Sequence, residues 1–442
     1  MPTWSVPPVL GDGSTAQGGT PPFAANEPAA IDEAGNYTRS QWLAGDFIDR
    51  FDNGEAKFRI SAAHGFFGAV DPIVYPGQVG TSHYHEFVGN IGLFENGGLA
   101  AVANADYAAL RNNPKSTATG GPLNATLYWS PALFVEIDGV LWPVKANVVT
   151  FYYTNDYADV AKLVRLHRGF SFIGGVNPMD RFNTAFRNSL PDTDLGGGEK
   201  WDKTQRYNGW NGWQFVVDGV AVPLAAGNTA DAFNSTNARQ LVNDDGSDPW
   251  GGAAEDPDGI LISSLNAPAG WDGINPSSPT GRTHVSYAIR SDQNTYRDVV
   301  PQGWFKVPHF EAKHEFPGSR PGLSGHAYRS KLSLSSDNHM GVSNPRGSTM
   351  HFDWLGAWDS IIQHTWHSEC NGITQDGVPG NPLTCNTSTI SATQRMLVGE
   401  ASPDPTMSLD PVLTFHNYNI GASKNAFGPL PPGTRVSGTV SR

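Results

Sequence analysis

His83 and His85 stand two residues apart in Ser82-His83-Tyr84-His85-Glu86-Phe87. That spacing is the strand period, which turns both imidazoles to one face. Their Cα atoms would be about 6.5–7 Å apart, so both rings can reach one metal ion or one substrate group. Further histidines follow far along the chain, at His284, His339 and His351, with Asp353 two residues beyond the last. If the fold gathers them, a cleft would hold several imidazoles and a carboxylate, with Asp71 an additional acid.

Three chemistries compete for this set. His83, His85, His339, His351 and Asp353 make a workable ligand set for a divalent metal, since imidazole with one carboxylate suits zinc, manganese or iron. The ion would polarise an oxygen or activate water. Alternatively, His83, His85, His284 and His351 could do metal-free acid and base work together with Tyr128 or Tyr287. Arg282 or Arg329 would then neutralise a substrate acid. In the third reading these groups are hydrogen-bonded within a polar core. Asp353 has a structural role open to it as well, as N-cap of a helix expected over 354–366, where Trp354, Leu355, Trp358, Ile361 and Ile362 recur at three and four.

The elements that must position these residues read as strands. Alternating or continuously apolar runs at 57–61, 125–129, 132–137, 148–153, 170–175, 213–217, 259–262, 284–289, 304–308 and 329–334 are short and bounded by turns. Asp138-Gly139 and Asp218-Gly219 each join two such runs, the strongest short-range hairpin signal. A short helix is expected over 104–113, ended by Pro114. The predicted fold is mainly β, an antiparallel β-sandwich with long loops, one helix in the C-terminal half, and extended termini. Trp201, Tyr207 and Trp210 in a polar, glycine-rich loop, with Trp129, could stack on sugar rings; packing beneath the loop would use the same residues.

Composition agrees with that class. The 442 residues include 50 Gly, 33 Pro and 22 Phe, with 13 each of Trp and Tyr, as expected of short strands, many turns and aromatic-rich packing. A net charge of −13 with 29 Lys and Arg argues against nucleic acid, whose phosphates demand clustered positive charge. No apolar run approaches the about 20 residues that span a bilayer. Residues 1–45 read as a Pro/Gly-rich arm, 46–375 as the β-domain with insertions near 185–212 and 225–258, and 376–442 as a C-terminal loop and second arm. Such arms would suit self-assembly or contacts with neighbouring virion subunits. In the second insertion, the carboxylates at 244–248 and 255–258 read as solvated charge, lacking the ligand spacing of an EF-hand. The N-terminus carries neither the basic start nor the apolar core of a signal peptide. The two cysteines, Cys370 and Cys385, could close a loop of about 15 residues for a gain of roughly 3 kcal/mol, or remain thiols.

Asp71-Pro72-Ile73-Val74-Tyr75-Pro76-Gly77, then Ser82-His83-Tyr84-His85-Glu86-Phe87-Val88-Gly89-Asn90, resembles the signature of a domain-of-unknown-function family of secreted fungal proteins. These often stand beside cysteine-rich WSC carbohydrate-binding modules, and relatives occur in actinobacteria and their phages. Leu127-Tyr128-Trp129-Ser130-Pro131, Thr283-His284-Val285-Ser286-Tyr287 and Met350-His351-Phe352-Asp353-Trp354 follow in the family's order, so the similarity runs from about Phe58 to Cys370. The resemblance implies an extracellular or virion-surface setting and a polysaccharide or cell-surface glycan as partner. The expected function is a glycan-directed surface protein with a His-rich cleft, a polysaccharide hydrolase or lyase. The alternative is a non-catalytic structural or attachment component assembled through its arms.

Overall fold

A computed structural model of the chain describes residues 49–51, 57–154, 166, 169–176, 193–196, 199–201, 211–225, 238, 240–251, 259–279, 281–287, 289–290, 298–299, 304–320, 322–338, 344–359, 362–363, 366–367, 370 and 384–386. Both expected arms lie outside these residues apart from the strand Thr384–Asn386, as does much of the two insertions. Among the described residues no helix is long and apolar enough to cross a membrane.

The fold is mainly β, built on two principal sheets. The larger has eight strands in the order Asp49–Phe51, Thr384–Asn386, Lys57–Ala62, Val148–Thr154, His309–Pro317, Ile260–Asn266, Asn211–Val217, Val220–Ala221. Its pairings are antiparallel except that of Lys57–Ala62 with Thr384–Asn386. The smaller is antiparallel with five strands, in the order His64–Gly68, His85–Gly89, Leu127–Pro131, His351–Leu355, Ser171–Gly175.

Alternation along each strand sends one set of side chains between the two sheets. Phe58, Ile60, Phe151, Tyr153, Phe310 and Ala312 from the large sheet meet Val88, Tyr128, Phe172, Phe352 and Trp354 from the small one in a single buried core. Tyr128 stacks on Phe151 at 4.1 Å between ring centroids, and Phe172 meets Phe310 at 5.1 Å. Such pairs add about 0.5–1.5 kcal/mol each beyond their area burial.

The intervening residues point the other way. Phe87, Leu127, Trp129, Ile173 and Leu355 form a second core on the outer face of the small sheet. The helices Gly92–Ala103 and Tyr107–Asn112 cover it with Leu93, Leu99, Val102 and Leu110. Asp106 caps the second helix, accepting from the Ala109 N–H at 2.7 Å. The first helix carries no clear sequence signal because its glycines are poor helix formers, and Gly98 breaks its regular dihedrals at φ 62°.

Both hairpin turns form as read. Asp138-Gly139 has φ of 51° and 73°, and Asp218-Gly219 has 50° and 77°, the paired left-handed residues of a type I′ turn. The helix expected over 354–366 begins later. His351–Leu355 is an interior strand of the small sheet, between Leu127–Pro131 and Ser171–Gly175, so Asp353 is a strand residue and not a helix cap. Asp359 takes the capping role, receiving the Ile362 N–H on Oδ1 at 3.2 Å and the Gln363 N–H on its carbonyl at 2.8 Å. Cys370 is buried and disulfide-bonded, and the sequence holds one other cysteine, Cys385.

A small third sheet matters for the site. Its strands lie in the order Leu332–Leu334, Leu133–Ile137, Val140–Val144. At its end, Ser335 N–H donates to the Ala132 carbonyl (2.9 Å) and Ala132 N–H donates to the Tyr84 carbonyl (3.0 Å). The turn that begins at Ser335 is thereby laid against His83 and Tyr84.

Candidate metal centre

Register across the small sheet brings His85 and His351 together. His85 pairs with Pro131, and Asp353 pairs with Trp129, so continuing the second register sets His351 on the far side of Pro131. His351 in turn pairs with Gly175. These residues form one row across the sheet, and paired residues project to the same face. His83, just ahead of its strand, projects to that face as the two-residue spacing requires.

The three imidazoles meet. Ring centroids lie 4.1 Å apart for His83 and His85, 5.2 Å for His83 and His351, and 6.2 Å for His85 and His351. One nitrogen from each ring lies within 4.8 Å of those of the other two. Three points so spaced share a centre no more than about 2.8 Å from each, against about 2.0–2.1 Å for a zinc–imidazole bond, so ligation needs only a small closing of the rings.

Hydrogen bonds fix the rings' tautomers. His85 Nδ1 lies 2.9 Å from the Val70 carbonyl and His351 Nδ1 lies 2.8 Å from the Thr349 carbonyl. A carbonyl only accepts, so both Nδ1 atoms carry the proton and both Nε2 atoms carry the lone pair. His83 Nδ1 lies 3.1 Å from the Tyr84 carbonyl and 2.9 Å from Ser335 Oγ, which itself donates to that carbonyl. The serine proton is thus committed and its oxygen accepts, which places the third ring in the same tautomer.

Asp353 lies on the same face, two residues from His351, in a row with Phe87, Trp129 and Ile173. It is fully buried, and neither carboxylate oxygen has a hydrogen-bond partner among the described residues. Its Oδ2 lies 3.9 Å from His351 Nε2. Burial pushes its carboxyl well above the usual carboxylate range, the Asp71 charge pushes the same way, and the Arg282 guanidinium opposes both.

Two covering segments complete the surroundings. Asp71 Oδ1 accepts from the N–H groups of Ile73 and Val74, both at 2.9 Å. Burial raises its carboxyl to about 6, against the pull of those two bonds and of Arg282. From the other segment, Arg282 and Tyr287 both donate to the Gly175 carbonyl, at 3.4 and 3.1 Å. Burial raises the Tyr287 phenol to about 12, with the Arg282 charge acting against it. Gly175 has φ of 81°, and a Cβ there would fall 2.8 Å from the His351 Cα, so only glycine fits beside the third histidine. The groups differ in depth. His83 keeps 6% of its surface and His351 5%, whereas His85 and Asp353 keep none, so any approach from solvent is over the first two.

Of the residues singled out from sequence, the structure gathers His83, His85, His351, Asp353, Asp71, Arg282 and Tyr287. It places His284 elsewhere: Nδ1 meets Ser278 Oγ at 3.0 Å, Nε2 meets the Ser171 carbonyl at 2.7 Å, and burial lowers its pKa to about 4. Tyr128 faces the inter-sheet core, its hydroxyl 2.7 Å from that of Tyr153, and burial raises its pKa well above the phenol range. Trp129 is buried against Phe87 at 5.8 Å, in no position to stack on a ligand at the surface. His339, Tyr207 and Trp210, together with the Trp201 side chain, lie outside the described residues. Arg329 is fully buried in an ion pair with Asp248, its guanidinium over the Phe215 and Trp250 rings, away from a substrate acid. Ser335, Thr349 and Gly175 were not singled out from sequence. For the first two no local pattern marks the role, while Gly174-Gly175 at the end of an apolar run is the one legible hint.

Comparison with known families places the chain. The pattern that defines the family described as Domain of unknown function (DUF1996) matches residues 71–358, more than half of the sequence, and the chain belongs to that family. No curated protein and no solved structure matches it.

Proposed function

We propose that the chain binds one divalent transition-metal ion through His83, His85 and His351, with Asp353 beside it, and uses that centre to cleave a polysaccharide by hydrolysis or elimination outside the cell. One observation carries the metal part of this reading. One ring nitrogen from each of His83, His85 and His351 lies within 4.8 Å of those of the other two, and Asp353 is buried beside them with neither oxygen hydrogen-bonded among the described residues. Burial holds the Asp353 carboxyl in its protonated form, and a metal ion ligated by the three imidazoles would take the place of that proton.

Imidazole with one carboxylate suits zinc, manganese or iron, and such an ion when bound polarises a substrate oxygen or lowers the pKa of water. The chain's own groups do the rest. The backbone carbonyls that hold the Nδ1 protons orient the rings before any ligand arrives. Arg282 brings fixed positive charge near Asp353, suited to a substrate carboxylate such as a uronate. The glycan part of the proposal is supported by the 71–90 signature, which resembles that of proteins standing beside sugar-binding modules.

The test joins metal analysis of the purified chain to reducing-end and unsaturated-product assays on bacterial and fungal polysaccharides. Replacing both His83 and His85 with Ala should remove the metal and the turnover together. Turnover undiminished in that double variant would show that the chemistry lies elsewhere.

A further inference from the structure

The turn 335–337 touches two of the three histidines by separate routes. Ser335 Oγ accepts from His83 Nδ1 at 2.9 Å. The second route runs through Thr349, whose carbonyl accepts from His351 Nδ1 at 2.8 Å. Thr349 is itself clamped by the same turn: its Oγ1 donates to Asp337 Oδ1 at 2.8 Å, and Ser336 Oγ donates to Thr349 Oγ1 at 2.7 Å. Asp337 Oδ2 in addition accepts from the N–H groups of Leu334 and Gly347, both at 2.8 Å, which closes the turn on itself. Ser335, Ser336, Asp337 and Thr349 are all buried, so these bonds have no competition from water.

We propose that the Ser335-Ser336-Asp337 turn is the positioning device of the metal centre, with Ser335 setting the ring plane and tautomer of His83 and the Asp337–Thr349 clamp setting those of His351. The inference rests on the metal reading above and deepens it. His83 stands just before the strand His85–Gly89, and of the three rings it is the one whose Nδ1 meets a side-chain hydroxyl, that of Ser335. The physical expectation follows from metalloprotein centres generally: the outer partner of a ligating imidazole holds the lone pair on the metal axis and raises its basicity. Removing such a partner commonly weakens binding by about 10–100-fold.

The experiment uses the full chain titrated with zinc and, separately, with cobalt(II), whose visible spectrum reports ligand geometry. Ser335→Ala should weaken zinc binding by about 10–100-fold and shift the cobalt spectrum, while the thermal midpoint of the metal-free protein stays close to that of the wild type. The control is Ser116→Ala. Ser116 is also buried but bridges to Asn90, beyond the opposite end of the His85–Gly89 strand, and its loss should leave both readouts unchanged. If the wild type binds metal and Ser335→Ala binds it equally well with the same spectrum, the positioning role is overturned and the metal centre stands. If the wild type binds neither ion, the metal centre itself falls, and the inference with it.

Discussion

Two aspartates sit buried on neighbouring segments, and their surroundings are opposite. Asp337 accepts from the backbone N–H groups of Leu334 and Gly347 and from the Thr349 hydroxyl. Asp353 accepts no hydrogen bond among the described residues and faces a histidine nitrogen at 3.9 Å. Burial raises both carboxyls, Asp337 to about 6 and Asp353 well above the usual carboxylate range. The difference teaches what each is for. Where this chain needs a buried carboxylate for structure it supplies donors around it; Asp353, given no such donors among the described residues, is left to the proposed metal centre.

Substitution sharpens the contrast. Asp337→Asn puts an amide N–H against donors and should cost about 3–5 kcal/mol in urea unfolding of the metal-free protein. Asp353→Asn should leave that stability unchanged or raise it, because a desolvated acid is removed, yet weaken metal binding. If both variants lost the same stability with no effect on metal, the two sites would be alike and the distinction would fail.

Acid titration sets the buried histidines outside the centre against the buried carboxyls. Burial lowers His284 to about 4 and His314 to about 3, against an ordinary value of 6.5. Below pH 6.5 the unfolded chain takes up protons that these two native rings refuse, so their contribution is present above 6.5 and is lost as pH falls toward 4 and then 3. The slope is about 1.4 kcal/mol per pH unit for each ring. Asp337 and Asp71 work in the other sense: each native carboxyl holds a proton up to about 6, against 3.8 in the unfolded chain, so each adds stability as pH falls through that window. Replacing His314 with Gln should remove its share of the loss below pH 6.5, about 1.4 kcal/mol per pH unit, whatever the sum of the other groups; an unchanged slope would contradict the assignment.

Glycine substitutions give the smaller effects and compare the site with a distant turn. At Gly175 an added Cβ meets the His351 Cα at 2.8 Å and the Met350 carbonyl oxygen at 2.9 Å. Gly175→Ala should cost about 2 kcal/mol and also loosen metal binding, because His351 must move. At Gly139 the same Cβ meets nothing within 4 Å, so only the backbone penalty of φ 73° remains. Gly139→Ala should cost about 1 kcal/mol and leave metal binding untouched.

Much of the fold was legible where the information is local. The Asp-Gly hairpins and the shared face of His83 and His85 follow from two-residue periodicity, which needs no knowledge of the rest of the chain. His351 and Asp353 were legible as candidates by residue type and by the family signature. Their place was not, because it depends on a register carried from 85 through 131 to 351 across three strands. The misread helix start has the same origin. Trp354 and Leu355 fit a helical spacing with Trp358 and Ile362, and only the neighbouring strands decide that Phe352 and Trp354 alternate into the core instead. His284 shows the reverse failure: it sits in a family motif, but Ser278 and the Ser171 carbonyl occupy both its nitrogens. Nothing in the sequence joins Ser335 to His83, which lie 252 residues apart.

The central claim is that His83, His85 and His351 form one metal centre, and a cobalt(II) titration of the full chain tests it most directly. A single equivalent bound with a visible spectrum of imidazole ligation, lost when His351 is replaced by Ala as well as when His83 and His85 are, is the predicted result. Weak binding of several equivalents, indifferent to all three replacements, would contradict it.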